Sequence, residues 1–413
     1  MTNNYKYKTN KIYDYLFLII SLILVFSVSL ISDNNTSAYF FNNLLILILS
    51  LIYLLSYRNL LMQVIGVNYS YFLLLIFSIP LLSSMFYLFY DISDGIIIKF
   101  IIAGHIVYYS FFLYLCAFIV NMYKVFSYRL LFIILLFYIL IPFILSGSII
   151  SINEYGEKNY VGEKLILIMP LFFYLGICSK KIIVRVVTIF LSLGLVFIFV
   201  ASTTVYPQKA LILCFLLQII FLILLSKYKL ITFSVLILFI FIFFSTDTEF
   251  FLKISERFGA MLRIDDEASS SDLRLRRYIE LIMQLVNNYV PILLGTGLGM
   301  SSYLSSETGL SGSHSGFFGF LSSVGFMVTA IYILFIYSIL KISLKEYRNS
   351  KLIKISSIIL LSLLFYSLFE DRVFPVGDFK VLIRNYDFIF VFSILFLASK
   401  KLIYVMENKC KLK

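Results

Sequence analysis

Hydrophobic residues run through this chain in long blocks parted by short polar stretches. A hydrocarbon layer about 30 Å thick takes about 20 helical residues to cross. The blocks at 13–31, 40–57, 69–90, 100–122, 130–150, 164–179, 182–202, 209–226, 230–245, 315–340, 352–369 and 386–406 therefore predict twelve spans. Backbone N–H and C=O groups find no partner in lipid, and no alternating ten-residue pattern marks a barrel, so the pattern dictates helices. An even number of spans puts both chain ends on one side. The first block is too long for a signal-peptide core and lacks a small-residue cleavage site, so it reads as the first span.

Composition agrees with this pattern. Of 413 residues, 61% are hydrophobic and 14% charged, against about half and a quarter in water-soluble domains. A soluble fold is excluded. The net charge of +12 suggests nucleic acid until its distribution is read: the cations sit in short clusters between spans, with no basic stripe interleaved with aromatics. With the N-terminus inside, the inner segments hold 21 basic residues and three acids, and the outer side holds 13 and 19. That asymmetry satisfies the positive-inside rule, places both termini in the cytoplasm and removes the nucleic-acid reading. Cys116, Cys178, Cys214 and Cys410 lie in or beside apolar runs or in the basic tail, so neither a disulfide nor a CxxC metal site is expected.

The expected fold is thus an all-α membrane protein, a polytopic bundle of about 12 transmembrane helices with one large outer, periplasmic loop. Residues 1–245 carry spans one to nine with short loops, 246–314 form the large loop, and 315–413 carry the last three spans and a basic cytoplasmic tail. No internal repeat, coiled-coil heptad or soluble domain interrupts this plan.

Within the large loop, 272–290 is amphipathic at 100° per residue. Arg276, Arg277, Glu280, Gln284, Asn287 and Asn288 share one arc, and Leu275, Ile279, Ile282, Val286 and Tyr289 lie opposite. Asp272 suits the N-cap and Pro291 is expected to end the helix, which would lie along the membrane–water boundary with its apolar face down. Arg274 falls off the polar arc, between Leu281 and Leu285, where it needs an anionic partner or must snorkel out from the first turn. Gly295-Thr296-Gly297-Leu298-Gly299 follows. Glycines spaced by one residue let backbone come close to a ligand and can expose N–H groups to anions, although a flexible turn has the same composition.

His314 closes the loop among small residues, at a boundary position that suits a general base near neutral pH, or a solvated bystander. His105, mid-span, reads as a helix-packing hydrogen bonder. At the outer boundary 201–209 contributes Lys209, and Glu370-Asp371-Arg372-Val373-Phe374-Pro375 contributes Arg372; both suit interfacial anchoring as well as anion binding. Asp91-Ile92-Ser93-Asp94 and Asp265-Asp266-Glu267 read as solvated acids, and no metal or other cofactor is expected.

Ser271-Asp272-Leu273-Arg274, the amphipathic stretch, and Pro291-Ile292-Leu293-Leu294-Gly295-Thr296-Gly297-Leu298-Gly299 together resemble the signature of the O-antigen polymerase and ligase family. Ser313-His314-Ser315-Gly316-Phe317-Phe318-Gly319-Phe320, followed by Val324-Gly325-Phe326, is similar to that family's His, short apolar run and Gly. The turn at 202–209 resembles its Ser-and-Arg turn. These motifs cover about 200–335, a third of the chain. The resemblance implies a GT-C-like glycosyltransferase fold, as in an O-antigen polymerase of this family. It implies transfer of a growing glycan from undecaprenyl diphosphate to a lipid-linked repeat unit on the outer face of the cytoplasmic membrane, beside a flippase and a chain-length regulator.

Carried over by position, Arg274 would grip the diphosphate and His314 would deprotonate or position the acceptor hydroxyl. Lys209, Arg276, Arg277, Arg372, Gly295, Gly297 and Gly299 would complete substrate binding. Lys209 stands where an Arg is usual and offers a point charge instead of a planar fork. Ser315 replaces a frequent Asn. Two alternatives stay open: a ligase of the same family, differing in acceptor, and a lipid-linked oligosaccharide flippase. A transporter would show related halves and mid-span charges, whereas the charges here gather in one outer loop.

Overall fold

The computed structural model describes 315–346, 350–368 and 381–399 almost without a break, Phe374 between them, positions 279, 283, 293 and 295, and parts of 41–55, 110–119, 182–187, 214–221 and 234–237. Every described element is helical, with no strand among the described residues. The three long helices are α1 (Gly316–Glu346), α2 (Lys351–Tyr366) and α3 (Val381–Ser399).

α1 is long and apolar enough to cross a membrane. At 1.5 Å per residue its 31 residues exceed the hydrocarbon thickness. It runs on past the expected end at 340 to reach the basic residues Lys341 and Lys345, because nothing between Leu340 and Glu346 breaks a helix. Lys341 holds its ammonium 5.8 Å from the centre of the Tyr337 ring, an arrangement that keeps a cation near an aromatic at a boundary. α2 is shorter than its expected span, ending at Tyr366 with Ser367 as C-cap. α3 begins five residues before the expected 386, so Arg384 and Asp387 belong to its first two turns instead of a preceding loop; with no breaker after Gly377, the helix extends through them.

Ring contacts fix the directions. Phe335 of α1 meets Phe392 and Phe396 of α3. Phe374, ahead of α3, lies against Phe317 at the start of α1, and the Ser343 hydroxyl near the end of α1 donates to the Leu395 carbonyl near the end of α3 at 2.7 Å, so these two helices run in the same direction. Phe317 N–H donates to the Ser367 carbonyl at 3.1 Å, so α2 runs antiparallel to α1. Earlier helical pieces pack on this trio. Phe112 makes a tilted ring contact with Phe392 and an edge-to-face one with Phe396, Cys116 hydrogen-bonds Ser393, and the Cys214 thiol donates to the Ser362 carbonyl at 3.7 Å.

α1 is apolar both inside and out. Val328, Phe335, Ile336 and Ile339 are buried, while Phe326 (67%), Leu334 (61%) and Tyr337 (56%) are exposed along the opposite face. A water-facing helix would put polar residues there; a helix apolar all round suits the core of a large protein or a membrane span. All of its exposed residues lie from Phe326 onward, and 316–325 has none.

Interhelical side-chain hydrogen bonds in lipid are worth about 0.6–1.7 kcal/mol. Ser343→Ala is expected to lower the thermal unfolding midpoint of the detergent-solubilised protein by that increment, while leaving insertion unchanged.

Candidate functional site

The N-terminal part of α1 is held at three places. The first is its start. Ser315 is the N-cap: its Oγ accepts the Phe318 N–H at 3.3 Å, and its carbonyl accepts the Gly319 N–H at 2.9 Å. The same hydroxyl donates to the Ser367 carbonyl at 3.2 Å, beside the Phe317 N–H on that carbonyl. A helix leaves four N–H groups unpaired at its start and four carbonyls at its end. Here the start of α1 and the end of α2 satisfy one another.

The second place is an aromatic wedge. Phe374, in the segment between α2 and α3, is buried against Phe317, Phe320 and Tyr332 of α1, with ring centres 5.8, 5.3 and 5.4 Å away. Edge-to-face and tilted contacts at these separations are favourable for aromatic rings.

The third is a break in the helix. Gly325 has φ 79 and ψ 171, which no helix interior contains. The local sequence supplies the cause. Ser322 and Ser323 both donate to the Gly319 carbonyl, at 2.9 and 2.8 Å, competing for an acceptor of the helical ladder. Such serines beside a glycine are a recognised source of kinks. Beyond the break, Thr329 Oγ1 donates to the Gly325 carbonyl at 2.7 Å as the helix resumes.

Gly295 lies in this break, buried, with φ 75. A Cβ on Gly295 would fall 2.2 Å from the Ser323 carbonyl oxygen, and a Cβ on Gly325 would fall 2.3 Å from the Leu293 carbonyl oxygen. Two backbones cross at a distance that a side chain on either glycine would forbid. At Gly295, then, the close approach is to α1 itself.

Ile279 and Met283 are helical and exposed, four residues apart. Leu293 is helical as well, two residues beyond Pro291, where helical backbone is expected to have ended; proline is tolerated in the first turn of a helix, so helix can follow it. Of the sequence-predicted site residues only Gly295 is described. His314, Arg274, Lys209, Arg276, Arg277, Gly297, Gly299 and Arg372 lie outside the described residues. Sequence reasoning missed Ser315 as a cap, although a Ser immediately before an apolar helix is the usual signal. It also missed the Phe374 anchor, for which an aromatic beside a proline is no signal at all. No protein-family model matches the chain, and no curated protein matches it.

Ser315→Ala is expected to cost about 1 kcal/mol, the usual value of a lost N-cap. Phe374→Ala removes a fully packed ring and should cost about 3 kcal/mol or more. Thermal unfolding of the purified variants in detergent checks both values and their order.

Proposed function

We propose that this protein is a membrane glycosyltransferase of the O-antigen polymerase and ligase type. It polymerises undecaprenyl-diphosphate-linked repeat units into surface polysaccharide, O-antigen or capsule, on the outer face of the bacterial cytoplasmic membrane. The whole chain is read as a GT-C-like bundle of about twelve helices with both termini cytoplasmic. The observation that carries this reading is the crossing of 293–295 with 323–325. The run 291–299 and the run 313–326 are the two halves of the resemblance, and they meet there, some 30 residues apart in sequence.

Depth supports it as well. Counted back from Lys341 at about 1.5 Å per residue, about 30 Å of hydrocarbon ends near Leu321. The crossing then falls within about 6 Å of that boundary on its hydrocarbon side, directly beneath the level at which the head of a lipid diphosphate sits. The part of α1 above the break has no exposed residue, with Phe317, Phe318 and Leu321 half-buried, and the part below is bare along one apolar face.

In this reaction the acceptor hydroxyl attacks the anomeric carbon of the donor glycan, and the bond to the diphosphate breaks. His314 takes the hydroxyl proton, a contribution of about 10²–10⁴-fold for a positioned base. Negative charge develops on the leaving diphosphate, which Arg274, helped by Lys209, Arg276, Arg277 and Arg372, neutralises. The donor is already activated, so the reaction needs no nucleotide. A ligase would use the same parts and differ in acceptor.

His314→Ala and Arg274→Ala are each expected to leave the protein inserted and to abolish long-chain polysaccharide in cells with no other copy. A normal length ladder on a gel from either strain overturns the assignment. Deleting the whole protein should leave a single repeat unit on the lipid core. Bare core after deletion would point to the ligase instead.

A further inference from the structure

The geometry points to Gly325 as a positioning residue for the outer-face site: its break in α1 forms a seat that accepts backbone from 293–295 and fixes where the 295–299 glycine run begins. This inference rests on the polymerase reading for what the glycine run does. The crossing itself stands on its own.

The fit is reciprocal. A Cβ on Gly295 would meet Ser323 and Val324 backbone atoms at 2.2, 2.3 and 2.4 Å, and one on Gly325 would meet Leu293 and Gly295 backbone atoms at 2.3, 2.5 and 2.6 Å. All six are main-chain atoms, which cannot swing aside as a flexible side chain could. Both glycines also hold φ near +75 to +79, a region costly for any residue with a Cβ. Each glycine therefore answers a requirement set by the other, and neither seat survives a methyl group. α1 is anchored above this point by Ser315 and by Phe374, so the seat does not drift relative to the helix end. The first glycine of the run, Gly295, is therefore placed by α1. A run intended to present backbone N–H groups to a diphosphate needs such a reference, because misplacement by about 1 Å can cost about 10²-fold in rate.

The test compares Gly295→Ala, Gly325→Ala and the double variant, purified in nanodiscs, for turnover of a lipid-linked repeat unit and for thermal unfolding. Each single variant should lower kcat/KM by about 10²-fold, with KM for the lipid-linked donor raised. The double variant should fall no further than the worse single, because both remove one shared contact. Losses that multiply, or a folded Gly325→Ala with unchanged kcat and KM, overturn the proposal. If Gly325→Ala does not accumulate, Ser322→Ala/Ser323→Ala relieves the pull on the Gly319 carbonyl with far less disturbance. It should raise the KM for the donor by a smaller factor, and an unchanged KM there also overturns the proposal. The unfolding midpoints should show the same lack of additivity. That readout survives if His314→Ala and Arg274→Ala prove active, so failure of the polymerase reading is distinguishable from failure of the crossing.

Discussion

A polar group buried among apolar side chains away from water must find a hydrogen-bond partner within the protein. The described helices meet that requirement at most positions. Ser357, Ser362 and Ser393 return their hydroxyls to carbonyls one turn back on their own helices, and Ser343 reaches across to α3. The carbonyl of Ser367 at the end of α2 is taken up by the N–H of Phe317 and the hydroxyl of Ser315 at the start of α1. Ser50 and Ser356 are exceptions, buried with hydroxyls that meet no acceptor. Where the helical ladder itself fails, at Gly325, the exposed stretch of backbone is covered by another stretch of backbone, from 293–295.

The same requirement explains what could be read from the chain. Hydropathy reports where a segment is apolar, so the positions of α1, α2 and α3 were legible as apolar blocks. It does not report where hydrogen bonding stops. α1 runs on to Glu346 through interfacial cations, α3 starts at Val381 through Arg384 and Asp387, and α2 stops early because Ser367 turns its carbonyl to α1. Helix ends depend on partners distant in sequence, and a window of hydropathy contains none of them.

The candidate site was legible in a different way. The glycine spacing at 295–299 signals backbone that must come close to something, and a single sequence does not say to what. At Gly295 the neighbour is Ser323–Val324, 28 residues on. Gly325 was visible only as a glycine in an apolar run, which reads equally well as a packing contact. Two serines sharing one carbonyl accompany its positive φ, a competition that residue types suggest only once the geometry is known. Phe374 shows the reverse situation: it carries no motif, yet three aromatics of α1 close around it.

These contacts divide α1 into two parts with different surroundings. Above Gly325 the helix touches the end of α2, the segment bearing Phe374 and the turn at Gly295, and none of its residues is exposed. Below Gly325 it packs on α3 along one face and presents Phe326, Met327, Ile333, Leu334 and Tyr337 outward along the other. A continuous helix would couple the two parts rigidly. The break separates a part seated against Ser367 and Gly295 from a part packed on α3, and Phe374 spans it, touching Phe317 and Phe320 above and Tyr332 below. Sites are most precise when built on regular elements locked by packing, and the upper part of α1 is such an element, small and held from three directions. That is the physical reason for a helix of this length to give up hydrogen bonds within its own span.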